Sequence, residues 1–335
     1  MKFSIGVIGF LLSNFLYSFQ EIIKVEVNEL KTLNLSQIAT SLEPIILEVP
    51  PKMEDRFFTN IALNEDYIFA LTLSENMPAN SRLLQFKRSG KFVREIGEMT
   101  EGWNSLFFDS KNQIIGVNNG QKIFQYNYQG KLFGEVKAIG RDQIVHRGRH
   151  YAVSINFPAL GEPIDYNLVQ TNEAGEEEKL LIEFQDNSTV TVGQHMRFSK
   201  HGADLLLWNN IDHTFILIKD GYTQVKYRLK LDKGLKTRAN SMIIGDWLIL
   251  PSQRTKQNII KLINLKSGES FETLDRYDIG IIDDMANNGF VKLHETAIYG
   301  DIENKIFFLK NASDIENIKN DYPPGSKVLL IATLK

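Results

Sequence analysis

The sequence predicts an all-β chain wound into a six-bladed β-propeller, and three observations carry that reading. Five strand-like runs reach a hairpin centred on Gly90, Gly130, Gly175, Gly221 or Gly268 and turn into a second run. Those glycines lie roughly 40 to 47 residues apart, the spacing of propeller blades. β-Branched and aromatic residues fill the runs while helical periodicity is nearly absent. The two ends of the chain are complementary: one holds a spare strand, the other a blade that is one strand short.

Taken in order, the chain opens with Lys2 and an apolar run from Phe3 to Leu12 that continues weakly to Tyr17. That pattern predicts a secretory signal over residues 1–20, cut after Ser18 or Gln20. Ser4, Ser13 and Asn14 dilute a segment already short for a membrane span. Nothing later is long and apolar enough to cross a bilayer. Residues 21–43 read as a lead-in, and residues 44–335 as the propeller.

Residues 44–49 form a compact strand that Pro50-Pro51 ends. Runs at 56–63, 67–71, 83–87 and 92–96 then make the first four-stranded unit, with its hairpin at Gly90. The unit recurs around Gly130 (114–117, 122–126, 132–133), Gly175 (151–155, 166–171, 179–184), Gly221 (204–208, 214–218, 225–231) and Gly268 (246–250, 258–264, 271–274). Glycine suits each turn because a tight hairpin needs positive φ, which a residue without a Cβ adopts freely. In the last unit, 289–293 and 305–309 read as strands and 312–320 as a short helix opened by Ser313. Pro323-Pro324-Gly325 stops the helix and 327–334 is the final strand. Adding 44–49 to that unit closes the ring, and five hairpin blades plus this composite one make six.

Composition bounds the function. A chain of 335 residues with 43% hydrophobic and 24% charged content can build a large core. A net charge of −3 supplies no basic field for nucleic acid. The absence of cysteine excludes disulfides, thiolate metal sites and lipid attachment through an N-terminal cysteine. No phosphate-binding loop, dinucleotide fingerprint or nucleophile elbow is present. A Ser199, His195 and Asp204 triad can be assembled on paper, as in any chain of this size.

At this point the residues resemble a known group, the secreted six-bladed propellers of Bacteroidota-type bacteria, related to NHL-repeat and TolB-like propellers. The hairpin from Leu84 to Gly97 carries the likeness most clearly. Ser41 to Glu48 looks like the family's opening strand, Asp283-Asp284 with Gly289-Phe290 like its acidic-glycine element, and Val328 to Lys335 like its terminal strand. The chain departs from the group at 98–104, where a glycine- and proline-rich loop is usual, and in lacking an anchor cysteine. The resemblance implies fold and export to the periplasm or beyond; it implies no chemistry. It also implies that ligands meet the loops joining successive blades and those inside each blade between its second and third strands.

Several residues on or near such loops are candidates for binding. Trp103, beside Asn104, offers a flat apolar surface with one donor for stacking on a sugar ring or a partner side chain, although a tryptophan there also serves to plug the gap between blades. Arg147 and Arg149 form a basic cluster with His146 and His150. Gly148 breaks the helix that two metal-sharing histidines would need, so an anion contact is the functional reading and a solvated turn the plainer one. His213 falls in a rim loop. Asp283 and Asp284 suit calcium or a sugar hydroxyl, or simply cap a turn through backbone amides. No metal site or cofactor is expected beyond that calcium option. The sequence therefore points to a non-catalytic binding propeller of the cell envelope, taking a carbohydrate, a peptide or an envelope protein. The alternative is an envelope enzyme of the metal-dependent lactonase or polysaccharide lyase kind on the same scaffold.

Overall fold

The computed structural model describes residues 20–335 except 27–28, 54–55, 75–79, 102–104, 110–111, 157–163, 187–195, 202, 220, 239, 277–279, 287–288, 294–303, 316–321 and 323–324. The signal expected over residues 1–20 thus lies outside the described residues except for Gln20.

Antiparallel meanders follow one another along the chain. Sheet 1 comprises Arg56–Leu63, Tyr67–Ser74, Asn80–Lys87 and Phe92–Glu101. Sheet 2 comprises Ser105–Asp109, Ile114–Asn118, Lys122–Asn127 and Leu132–Lys137. Sheet 3 comprises Gly140–His146, Arg149–Asn156, Ile164–Thr171 and Glu177–Asp186. Sheet 4 comprises Met196–His201, Asp204–Asn209, Thr214–Lys219 and Tyr222–Leu231. In sheet 5 a broken first strand, Leu235–Thr237 and Met242–Ile244, pairs with Trp247–Arg254, followed by Gln257–Asn264 and Ser270–Leu274. The first strands of sheets 1 to 5 pack side by side, so they line the inner side of the assembly.

The six-blade expectation fails here, because the described residues form seven separate hydrogen-bonded sheets. Ile281–Asp283 and Gly289–Val291 pair with each other rather than with the last unit, and form a small sixth sheet. Among the described residues a single bridge, Leu293–Phe308, pairs that stretch with Lys305–Asn311. Sheet 7 consists of Lys305–Asn311, Lys327–Leu334 and, from the other end of the chain, Ala39–Leu47. The sixth sheet has no glycine hairpin of the repeating kind, so a count of hairpins passes over it. Of the C-terminal helix expected over 312–320, only the start is described. Ala312–Asp314 is a single 3-10 turn with Ile315 extended after it, and 316–320 lie outside the described residues.

The lead-in is built into the fold. Glu21–Val25 joins sheet 4 as a fifth strand, parallel to residues 227–231. The backbone N–H of Lys31 donates to Glu272 O on sheet 5 (3.0 Å), and Leu33–Asn34 pairs in parallel with Ile281–Asp283 on sheet 6. A four-residue helix, Leu35–Ile38, then leads into the sheet 7 strand. Residues 21–47 therefore lace the outer edges of four consecutive sheets. Lys261 and Glu272, both fully buried, pair at 3.2 Å, and the Lys261 ammonium also donates to Glu26 O in the lace.

Apolar clusters close the circle. Phe69, Phe108, Tyr151 and Leu207 belong to one that runs through sheets 1 to 4. Trp208 and Leu248 join sheets 4 and 5 together with Ile23 and Val25 of the lace. Trp247, Ile281 and Leu330 join sheets 5 to 7 over Leu33, Leu35 and Ile38. Finally Ile45, Leu47 and Val49, packed with Leu329, meet Ile61 and Phe86 and so bring sheet 7 against sheet 1. The alternation in 45–49 thus faces sheet 1, as a strand with one buried side requires.

Candidate functional site

The first strand of every four-stranded sheet begins at the same end of the axis, because three antiparallel strands separate it from the next. That end forms a rim on which the starts of the inner strands converge. Polar side chains buried there tie neighbouring strands and sheets together. Arg56, 7% exposed, donates through Nη1 to Thr72 Oγ1 at 3.2 Å. Arg197, 8% exposed, reaches from sheet 4 to Asn240 Oδ1 on sheet 5 at 2.5 Å. The Asn118 amide donates to Gly140 O at 2.7 Å, joining sheets 2 and 3. Thr237 Oγ1 donates to Asn210 Oδ1 at 2.6 Å, joining sheets 5 and 4.

Against this polar frame Phe57 is out of place. It is 56% exposed although it sits second in the innermost strand of sheet 1. Its neighbour Phe58 is buried in the cluster between sheets 7 and 1. Side chains alternate along a strand, so of two successive aromatics one had to face away from that core. Arg56 shares the Phe58 side of the strand, where it bonds Thr72 opposite Phe58, and Phe57 faces the other way at the rim.

The candidates read from the sequence scatter. Trp103 and Asn104 lie outside the described residues. Arg147 occupies a two-residue hairpin with φ 54° between Gly140–His146 and Arg149–Asn156, at the end of sheet 3 opposite the rim, and Arg149 starts the strand beside it. His213 is on the rim side, in the turn before Thr214–Lys219, with φ 53° and its ring centroid 6.4 Å from that of Trp208. Burial lowers its pKa, and Asp212 opposes that shift. Asp283, fully buried, accepts at Oδ1 from the backbone N–H of Met285 (3.0 Å) and Ala286 (2.9 Å).

Asp284 anchors the lace. Its Oδ1 accepts from the Ser36 N–H at 2.9 Å and its Oδ2 from the Ser36 hydroxyl at 2.5 Å, at the start of the Leu35–Ile38 helix. Burial raises its carboxyl, but the Ser36 bonds outweigh that and the pKa is lowered. Among the described residues no three His, Asp or Glu side chains group closely enough to share a metal ion, and no helix is long and apolar enough to cross a membrane. Phe57, Arg56 and Arg197 are the rim residues that sequence reasoning passed over. The Phe57-Phe58 doublet in a half-buried strand was the signal for the first.

Comparison with known proteins follows the architecture. A family model described as a 6-bladed beta-propeller, DUF5128, matches residues 15–241. The chain belongs to this family. The matched stretch takes in the lace and sheets 1 to 4 and stops before Met242. No curated protein matches. Among solved structures, a Bacteroides fragilis protein assigned to export aligns over 94% of this chain and 99% of its own, with a TM-score of 0.59 and 15% identity, which shows a shared fold. A protein of unknown function from Bacteroides caccae aligns over 73% of this chain and 82% of its own, with a TM-score of 0.41 and 14% identity. The propeller domain of the fungal protein Swd1 aligns over 88% of this chain and all of its own, with a TM-score of 0.49 and 9% identity.

Proposed function

We propose that this protein is a non-catalytic binding propeller of the cell envelope that takes its ligand at the rim where the inner strands begin. The exposed ring of Phe57 carries the reading. An exposed aromatic face on a rim where inner strands converge is a surface that can stack on a sugar ring. A peptide or an envelope protein would use the same face through an aromatic or acidic side chain. The apolar run 3–12 supports export, and cleavage after either Ser18 or Gln20 leaves Glu21–Val25 whole for its place in sheet 4.

Thermal shift across a panel of neutral and acidic glycans tests the rim, with total metal analysis and added calcium in parallel. The expected result is a shift with at least one glycan that Phe57→Ala abolishes while leaving the unliganded melting temperature within about 2 °C, since exposed side chains contribute little to stability. A shift that Phe57→Ala leaves intact overturns the assignment to this rim. A stoichiometric tightly held metal would favour the enzyme reading. N-terminal sequencing of the protein from the periplasmic fraction tests export, with Phe19 or Glu21 as the expected first residue.

A further inference from the structure

The lace treats the seven sheets unequally. It adds a strand to sheets 4, 6 and 7 and one backbone bond to the outer strand of sheet 5, whereas Phe92–Glu101, Leu132–Lys137 and Glu177–Asp186 end sheets 1 to 3 with no strand from the lace. An edge strand presents a row of backbone N–H and C=O groups able to pair with another chain. Sheet 4 shows what such an edge accepts in this protein: Glu21–Val25, five residues in parallel.

Sheet 3 repeats the acceptor of sheet 4. Both outer strands, Glu177–Asp186 and Tyr222–Leu231, have ten residues. In each the fifth residue is an extra one that interrupts the register, Leu181 in sheet 3 and Lys226 in sheet 4. The five residues after that bulge are the ones that bind Glu21–Val25 in sheet 4, and their counterparts in sheet 3 are 182–186. Tyr227 and Leu229 are 8% and 5% exposed in sheet 4, where the fifth strand flanks them. Their sheet 3 counterparts, Ile182 and Phe184, are only half-buried. Sheets 1 and 2 lack the equivalence. The outer strand of sheet 2 has only six residues, and in sheet 1 the corresponding stretch begins at Gly97, where an added Cβ would overlap the Tyr126 hydroxyl.

Charge distinguishes the two acceptors. In sheet 4 the register sets Ile22 against Arg228 and Lys24 against Lys230, a basic edge, whereas sheet 3 offers Glu183, exposed, with Glu177 and Glu178 exposed upstream, an acidic one. We infer that the edge of sheet 3 at residues 182–186 accepts an extended segment of a partner protein as a parallel fifth strand, with lysine or arginine alternating with branched apolar residues. Backbone pairing supplies the affinity, Ile182 and Phe184 the apolar contact, and Glu183 the choice of charge. This surface is separate from the rim and stands whether or not the rim binds a glycan.

The test uses the full-length mature protein and two synthetic eight-residue peptides, one alternating lysine with isoleucine and valine, the other with glutamate in place of lysine. Amide hydrogen exchange is followed with and without peptide. The lysine peptide is expected to slow exchange at 182–186, and the glutamate peptide to have a far smaller effect. Glu183→Lys, at an exposed position that leaves the melting temperature unchanged, is expected to weaken the lysine peptide roughly tenfold and to strengthen the glutamate peptide, a difference of about 1.4 kcal/mol for each factor of ten. Three results overturn the inference: no protection at millimolar peptide, protection at 227–231 through displacement of Glu21–Val25, or a dimer of the protein alone with 182–186 already protected, which would make a second copy the occupant.

Discussion

The hairpin glycines answer to two constraints at once. Gly90 has φ 90°, and an added Cβ there would overlap the Ile46 carbonyl of sheet 7; Gly175 has φ 79° and faces Lys137 O of sheet 2 in the same way. These two hairpins thus lean on the outer strand of the preceding sheet, and the Glu48 N–H donates to Gly90 O at 3.0 Å across one such contact. Gly268 also has positive φ, 75°, yet nothing lies within 4 Å of its Cβ position. Gly268→Ala should therefore cost about 1 kcal/mol, from backbone strain alone. Gly90→Ala and Gly175→Ala should each cost at least about 2 kcal/mol more, because a backbone must move as well; equal losses in chemical denaturation would refute the packing argument. The sequence displayed the five glycines and their turn, but the second constraint lies between sheets and leaves no mark in a local window. Protonation acts at the same scale. Burial lowers the pKa of His150, His201 and His213 from the ordinary 6.5, with Lys226 adding to the shift at His201 while Asp204, Asp246 and the Gly245 backbone oppose it. The unfolded chain then binds more protons, so stability is full above pH 6.5 and declines as the pH falls below it. The melting temperature should drop between pH 7.5 and 5.5, and replacing all three histidines by glutamine should flatten that slope.

At the scale of single elements, the lace is the part that sequence reading understated. Residues 21–43 look like a mixed lead-in because their apolar residues are spread over a strand, a loop, a two-residue strand and a helical turn, none long enough to show a period. Their partners lie some 200 residues away. The first strands of sheets 2 to 5 were missed, in sheet 2 for a related reason. Flanked by neighbours on both sides, Ser105–Asp109 is buried throughout and shows no alternation. The outer strands, half solvated, alternate and were legible. Lys261 locks the lace to sheet 5 through Glu26 O and Glu272, and Arg254 reaches the other oxygen of Glu272 at 3.1 Å. Lys261→Met should cost at most about 3 kcal/mol, because Arg254 still pairs with the buried carboxylate, whereas Lys261→Met combined with Glu272→Leu should recover much of that loss. A double variant as unstable as the single one would show that the packing of the lysine stem, rather than the charge pair, holds the lace.

For the whole molecule, propeller architecture was legible because the repeat is printed in the chain, while the number of sheets was not. The small sixth sheet borrows Leu33–Asn34 and has three-residue strands, too short to register as a blade. The candidate site was legible only as an end of the axis, since the rim gathers residues more than 100 positions apart. Closure rests on Ala39–Leu47, where Ile45 and Leu47 bury apolar surface worth about 1.5–3 kcal/mol each and the strand adds ladder bonds of roughly 1 kcal/mol apiece. That sum rivals the roughly 5–15 kcal/mol by which domains are stable. Deleting residues 44–49 should abolish the cooperative melting transition; an unchanged transition would show that the ring holds without its closing strand.

The crossing of the chain's two ends also constrains its biosynthesis. The residues translated first wait for partners translated last: Ala39–Leu47 for Lys327–Leu334, and Leu33–Asn34 for Ile281–Asp283. An unfinished nascent chain cannot seal itself, and it remains threadable until its final strand has emerged.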